Sequence, residues 1–205
     1  MTTALLSTAY FGPIQWYQKL HRYDRILLER CDSFIKQTYR NRCVIATTMG
    51  AQALSIPIAP HPIPKISNHG KWRSEHWNAL CSAYGDSPFF DYYVDDLRPF
   101  FEPNWEDLYD FNLDITLKMC ELLDIHPHIE PTQRFIAPTG ELRLTTDDGP
   151  ADDFRDAIRP KHPLPDPQFT PRPYYQVFAT KHGFIPNLSI LDLLMNEGNE
   201  SVLFL

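Results

Sequence analysis

Ala4-Leu5-Leu6-Ser7-Thr8-Ala9-Tyr10 is a short apolar run without a charge, Gly12-Pro13 punctuates it, and Trp16, Tyr17 and Leu20 then recur at helical spacing. Arg25-Ile26-Leu27-Leu28-Glu29 follows as a second strand candidate. Strand, turn, helix and strand in that order draw a β-α-β unit with a right-handed crossover. In such a unit the turn after the first strand opens onto the crevice where α/β proteins take ligands, which puts Tyr10 and Gln15 near a site.

Downstream of this unit, Phe34-Ile35-Lys36-Gln37-Thr38-Tyr39-Arg40-Asn41-Arg42-Cys43 concentrates three cations. Read as a strand, it puts Lys36, Thr38, Arg40 and Arg42 on one face and Ile35, Tyr39 and Cys43 on the other. Arginines two apart on a strand stand roughly 7 Å from each other, a separation that suits two oxygens of one phosphate or pyrophosphate. The competing reading pairs them with the chain's own carboxylates, and the sequence does not separate the two.

Composition bounds the rest. The 205 residues carry a net charge of −7, with 43% hydrophobic and 22% charged residues, ordinary for one globular domain. An acidic balance argues against nonspecific binding to nucleic acid or anionic lipid. From Lys19 to Arg42, however, seven Lys/Arg face three acids, a local excess suited to a small anion. Cys31, Cys43, Cys81 and Cys120 lie 12, 38 and 39 residues apart with no C-x-x-C pair, the pattern of free thiols in a reducing compartment rather than a zinc site. No apolar run approaches the ~20 residues of a membrane span, and the uncharged N-terminus lacks the basic start of a signal peptide. The expected location is cytoplasmic, with no membrane span and no nucleic-acid partner.

Cys43 to Thr47 and Ala53 to Ile58 read as a hairpin turning at Gly50, followed by a proline-rich loop from Ala59 to Gly70. Trp72, Trp77, Leu80, Cys81 and Tyr84 then form a helical stripe with His76 on its flank. Ser87-Pro88 reads as the cap and first residue of a second helix, and Asn104 as the cap of a third running to about Leu123. His126 to Tyr174 holds ten of the nineteen prolines and an acidic run, Asp147 to Asp153. It is expected to be loop-rich and in part disordered, broken by a strand at Glu141 to Thr145, and its aspartates fit no calcium loop. Ser189, Asp192 and Gly198 bracket a last helix by a capping box and a stop, and Ser201 to Leu205 ends the chain as a strand or docked tail. The expectation is a single α/β domain over residues 1–205: a mixed sheet from the N-terminal half, packed helices, and a loop-rich C-terminal third.

Tyr10 and Pro13, Lys36 with Tyr39-Arg40-Asn41-Arg42, Leu54-Ser55-Ile56-Pro57, and Trp72, His76 and Tyr84 with Ser87-Pro88-Phe89-Phe90 occur in this order. Phe184 to Leu194 with Asn196-Glu197-Gly198 completes the series. In these residues the chain resembles the WbqC-like family of bacterial proteins from end to end. It departs from many members, which carry a Gln-Pro pair just before the tyrosine and a Tyr-x-Pro spacing, where this chain has Ser7-Thr8-Ala9 and Tyr10-Phe11-Gly12-Pro13. The resemblance implies a role in O-antigen and related surface-polysaccharide assembly, with glycine or aminoacyl transfer as the suggested reaction.

Such a transfer needs a holder for an activated donor, a base for the acceptor and donors for the developing oxyanion. Lys36, Arg40 and Arg42 are the candidate holders of a phosphorylated, nucleotide-sugar or aminoacyl donor. His76 is the candidate base, since histidine titrates near neutrality; the competing reading is a histidine hydrogen-bonded in the core. Tyr10, Asn187 and His182 are further substrate-binding candidates, while capping accounts for Ser189 and Asp192. The amide of Asn41 is expected to satisfy neighbouring backbone. No G-x-S-x-G elbow, phosphate-binding glycine loop or paired-cysteine motif occurs, so no cofactor and no metal are expected. The rivals are a noncatalytic anion-binding or partner-docking protein of the same pathway, and a nucleotidyltransferase-like enzyme.

Overall fold

A computed structural model of the protein describes residues 1–59, 63–146 and 149–205. Pro60 to Pro62 of the proline-rich loop and Asp147 and Asp148 of the acidic run lie outside the described residues.

The opening unit forms as its pattern demands. β1 (Thr3–Ser7) is followed by α1 (Ile14–Arg22) and β2 (Arg25–Glu29), with β1 and β2 parallel and Thr3 opposite Arg25. Pro13 sits just before α1 and offers no side-chain cap; Asn187 replaces it, its Oδ1 accepting from the Gln15 amide at 2.9 Å. β3 (Arg42–Thr47) and β4 (Gly50–Ser55) pair antiparallel through a turn that ends on Gly50 at φ 97°, where a side chain would be strained. β5 (Ile58–Ala59) and β6 (Lys65–Ile66) pair briefly across the proline-rich loop.

Three helices follow. α2 (Trp72–Tyr84) buries Trp72, His76, Leu80, Ala83 and Tyr84, so the buried stripe takes in His76 and leaves Trp77 and Cys81 half-covered. α3 (Phe90–Leu97) begins later than Ser87-Pro88 predicts, because those two residues form a turn and Ser87 caps nothing. α4 (Leu108–Leu122) is capped by Asp107 rather than Asn104: the Asp107 carboxylate accepts from the Tyr109 and Asp110 amides at 2.8 and 3.0 Å.

The proline-dense region carries more regular structure than its composition implies. β7 (Ile129–Pro131), β8 (Arg143–Thr146) and β9 (Gly149–Asp153) join β1 and β2 in one mixed sheet of order β7-β2-β1-β9-β8. Prolines are admitted where ladder donors are not needed: Pro131 ends an edge strand, and Pro150 precedes the Asp152–Asp153 stretch that pairs with β1. β7, β2, β1 and β9 are mutually parallel, and β8 closes one edge antiparallel. The short α5 (Ala179–His182) and α6 (Ile190–Glu197) complete the elements, and the tail winds as a 3-10 helix from Gly198 to Phe204 rather than a strand.

Alternation along β1 and β2 sorts the core. Ala4, Leu6, Ile26 and Leu28 point into the main cluster with α1, α2, α4 and α6, while Leu5 and Leu27 join Leu144 and Ala151 on the other face. Ile190, Leu191, Leu193 and Leu194 of α6 have no exposed surface, so this helix is apolar all round because it is enclosed. Each such side chain contributes about 1.5–3 kcal/mol by leaving water. Ser189 caps α6, accepting from the Leu191 amide at 3.3 Å, but Asp192 does not reach back to close a capping box. Its Oδ2 instead accepts from the Tyr174 hydroxyl at 2.6 Å.

Candidate functional site

Strands β1 and β2 lie on one side of the chain's path and β9 arrives on the other flank of β1, so strand order reverses between β1 and β9. At such a reversal the loops leaving the carboxyl ends of neighbouring strands diverge and leave a crevice. A crevice of about 330 Å³ lies there. Its floor is Leu6 to Ala9 at the end of β1; one wall is Asp32 to Arg40 after β2, and the other is Phe154 to Lys161 after β9. Phe135 and Pro138, following β7, complete it, so all four parallel strands feed the site through their carboxyl ends.

The cationic segment is not a strand. Lys36 to Asn41 forms turns, and β3 begins only at Arg42. Gln37 sits in the left-handed region at φ 64°, so the alternation that put Lys36, Arg40 and Arg42 on one face is lost. Lys36 and Arg40 line the crevice; Arg42 does not, its Nε donating to Ser55 Oγ at 3.2 Å across the hairpin. The Asn41 side chain donates to the Ile56 carbonyl at 2.9 Å, the backbone role expected of it.

Arg40 is built in rather than displayed. It is 5% exposed, its Nη1 lies 2.8 Å from Asp32 and donates to the Ser33 carbonyl at 3.1 Å, and its Nε has no partner among the described residues. A buried guanidinium donor without an acceptor is unfavourable unless something fills the space in front of it. Burial raises the Asp32 carboxyl above the ordinary aspartate range, although the Arg40 guanidinium beside it pulls the other way.

The second wall supplies what the sequence reading missed. Arg155 is saturated: it grips Asp153 with two nitrogens at 2.9 and 2.7 Å and reaches Glu29 at 3.2 Å. Arg159 pairs with Asp156 at 2.9 Å. Lys161 crosses to the opposite wall and donates to Gln37 Oε1 at 2.8 Å, a neutral partner. Lys36 makes no ion pair or hydrogen bond among the described residues, so Lys36 and Lys161 bring charge to the mouth that no carboxylate offsets. The spacing Arg155, Arg159, Lys161 was visible in the sequence, but it lay in a stretch read as loop.

The other sequence candidates are placed elsewhere. Tyr10 and His76 are both buried in the core, the Tyr10 hydroxyl 3.0 Å from His76 Nδ1, with Trp72 packed edge-on at 5.2 Å. Burial pushes the His76 imidazole down to about 4, and neither residue lines the crevice. Asn187 exchanges two hydrogen bonds with Gln15 at the start of α1. His182 Nε2 lies 3.0 Å from the Thr48 carbonyl at the tip of the β3–β4 hairpin. The candidates thus divide into a crevice pair, Lys36 and Arg40, and separate structural contacts.

A second groove, of about 610 Å³, is lined by Lys71, Arg73 and Arg98, but Arg98 stacks on Trp77 at 4.7 Å and Arg73 on Trp72 at 4.5 Å. Those cations already have partners of their own. Among the described residues no group of three His, Cys, Asp or Glu side chains is placed to hold a metal, and no helix is long and apolar enough to cross a membrane.

No curated protein and no solved structure matches the chain. A family model does, over residues 8–147, more than half of the chain. That span takes in the Lys36–Arg40 wall, Tyr10, His76 and strands β2, β7 and β8 of the sheet, and leaves out β1, β9, the Arg155–Lys161 wall and α6. The chain belongs to the WbqC-like protein family.

Proposed function

We propose that the protein is a group transferase of surface-polysaccharide assembly that holds a phosphorylated or nucleotide-activated donor in the crevice between β1 and β9. The observation that carries the reading is the pair Lys36 and Lys161, which no carboxylate offsets among the described residues, at the mouth of a crevice that also holds Arg40, in a chain of net charge −7. Position supports it as well, because the carboxyl ends of parallel strands at a reversal of strand order are where α/β folds take their ligands. The pathway and the suggestion of aminoacyl transfer come from the family resemblance.

In this reading Lys36 and Lys161 take the donor phosphate at the mouth, and Arg40 Nε donates to an oxygen deeper in. The base is Asp32, which lines the crevice and whose raised affinity for a proton suits the task better than His76, enclosed against Tyr10 and Trp72. Asp32 removes the proton from an acceptor hydroxyl or amine. The acceptor oxygen or nitrogen bonds to the donor's acyl carbon, the bond from that carbon to the phosphate oxygen breaks, and the phosphate leaves with the electron pair, its charge met by the two lysines.

Thermal unfolding in inorganic phosphate and pyrophosphate tests the anion site. A ligand at about 100 times its dissociation constant adds roughly 2.7 kcal/mol, a shift of a few degrees for a chain of this size. The expected result is a shift in the parent protein that disappears in Lys36→Ala/Lys161→Ala, two exposed positions whose loss leaves the fold intact. No shift with either anion at tens of millimolar sinks the reading. The rival, a noncatalytic anion-binding protein of the same pathway, predicts the same shift but no effect of Asp32→Asn on any turnover.

A further inference from the structure

The crevice is charged at its mouth and apolar within. Leu6, Ala9, Trp16 and Phe154 close its back, each 2% exposed or less, and Ile158, Pro138 and Pro160 present apolar surface in front of them. Phe135 and Ile35 flank it as exposed apolar side chains, 52% and 63% accessible. A sugar presents hydroxyls in every direction and needs a hydrogen-bond partner for each one that it buries. Here three acceptors of the floor and wall are already engaged: Thr8 Oγ1 accepts from Asn112 at 3.1 Å, the Ser7 carbonyl from Trp16 Nε1 at 2.9 Å, and the Ser33 carbonyl from Arg40.

Resting on the anion-site reading above, we propose that the ligand is a phosphate ester or anhydride whose other half is apolar, an aryl or nucleobase ring or an aliphatic acyl group, and not a bare sugar phosphate. The apolar half lies among Ile35, Phe135, Pro138 and Ile158. The phosphate lies between Lys36 and Lys161. Arg40, 95% enclosed with its Nε unpartnered among the described residues, supplies a further donor for the linking or carbonyl oxygen between the two halves. About 330 Å³ holds a fused ring pair or a chain of several methylenes.

Calorimetric titration of the intact protein with inorganic phosphate, butyl phosphate, hexyl phosphate, phenyl phosphate, adenosine monophosphate and glucose 1-phosphate tests this without any variant. Burying one methylene is worth up to about fourfold in affinity, so hexyl phosphate is expected to bind roughly tenfold tighter than butyl phosphate. Glucose 1-phosphate is expected to bind no tighter than inorganic phosphate. A steeper gain for phenyl phosphate and adenosine monophosphate than for the alkyl series assigns an aromatic half; the reverse assigns an acyl half. Inorganic phosphate binding with no gain along either series, or glucose 1-phosphate binding tightest, overturns this inference and leaves the anion site standing. A gain along the alkyl series that is indifferent to Lys36→Ala/Lys161→Ala keeps the apolar cavity and overturns the anion site instead.

Discussion

Two buried groups that titrate in opposite directions should make the stability of this protein nearly level between pH 4.5 and 7.5, and removing either one should expose the other. Asp192 is 1% exposed among Tyr84, Tyr174 and Gln176, and burial raises its carboxyl from 3.8 to about 6. A group raised on folding favours the native state below its unfolded pKa, and that advantage is lost as the pH rises through the folded value. Asp192 therefore withdraws stability between about pH 4 and 6. His76 is 5% exposed and lowered from 6.5 to about 4. Its contribution is complete above its unfolded value and is lost as the pH falls, so it withdraws stability over the same window from the other side. At ~1.4 kcal/mol per unit, each swing is worth roughly 3 kcal/mol in full. About 2 kcal/mol of the Asp192 swing and about 2.5 of the His76 swing fall between pH 4.5 and 7.5.

Urea unfolding followed by tryptophan fluorescence at the two pH values measures this directly. The parent protein is expected to change by less than about 1 kcal/mol. Asp192→Asn keeps an acceptor for Tyr174, and its stability relative to the parent is expected to improve by about 2 kcal/mol from pH 4.5 to 7.5, leaving the variant acid-labile through His76. His76→Gln retains a partner for the Tyr10 hydroxyl and should show the opposite slope. A difference between Asp192→Asn and the parent that is the same at both pH values would mean that Asp192 titrates normally in the fold, and the reasoning fails.

The Lys19–Asp166 pair, 2.7 Å apart with both side chains under 5% exposed, fastens the irregular segment after β9 to α1. Lys19→Met, which leaves a buried carboxylate unpaired, is expected to destabilise by about 3–5 kcal/mol in urea unfolding, and Lys19→Met/Asp166→Asn to recover most of it. Gly198 ends α6 at φ 57°, and a β-carbon there would stand 2.6 Å from the Phe89 ring. Gly198→Ala is therefore expected to lower stability by roughly 2–4 kcal/mol, whereas an effect below about 0.5 kcal/mol would show that Phe89 moves aside freely.

What the sequence revealed is what is written locally. The β1-α1-β2 opening, the hairpin at Gly50, α4 and α6 each declare themselves within a window of some twenty residues, through periodicity and a turn residue or cap. Neighbourhood in the sheet is not written that way. Nothing in Gly149 to Asp153, with its proline and two aspartates, marks it as the strand that flanks β1, and its place comes from the β8 hairpin and from its pairing with Ala4 and Leu5, whose carbonyl at Leu5 accepts from the Phe154 amide at 3.0 Å. Once β9 is missed, the wall that follows it is missed too. The burial of His76 was hidden for another reason. Its burial is decided by a partner, the Tyr10 hydroxyl, which lies sixty-six residues earlier, and a hydropathy stripe cannot distinguish a polar residue on the flank from one that is hydrogen-bonded inside.

The two walls of the crevice are tied to the rest of the molecule in different ways. The first wall and the floor are fixed together by Asn112 of α4, whose amide donates both to Thr8 Oγ1 at 3.1 Å and to the Arg40 backbone carbonyl at 2.8 Å. The second wall, Phe154 to Lys161, lies beyond residues 8–147 and is pinned by Arg155 to Glu29 and by Lys161 to Gln37. The family match therefore covers the wall that carries Arg40 and Lys36 and not the wall that carries Arg155, Arg159 and Lys161.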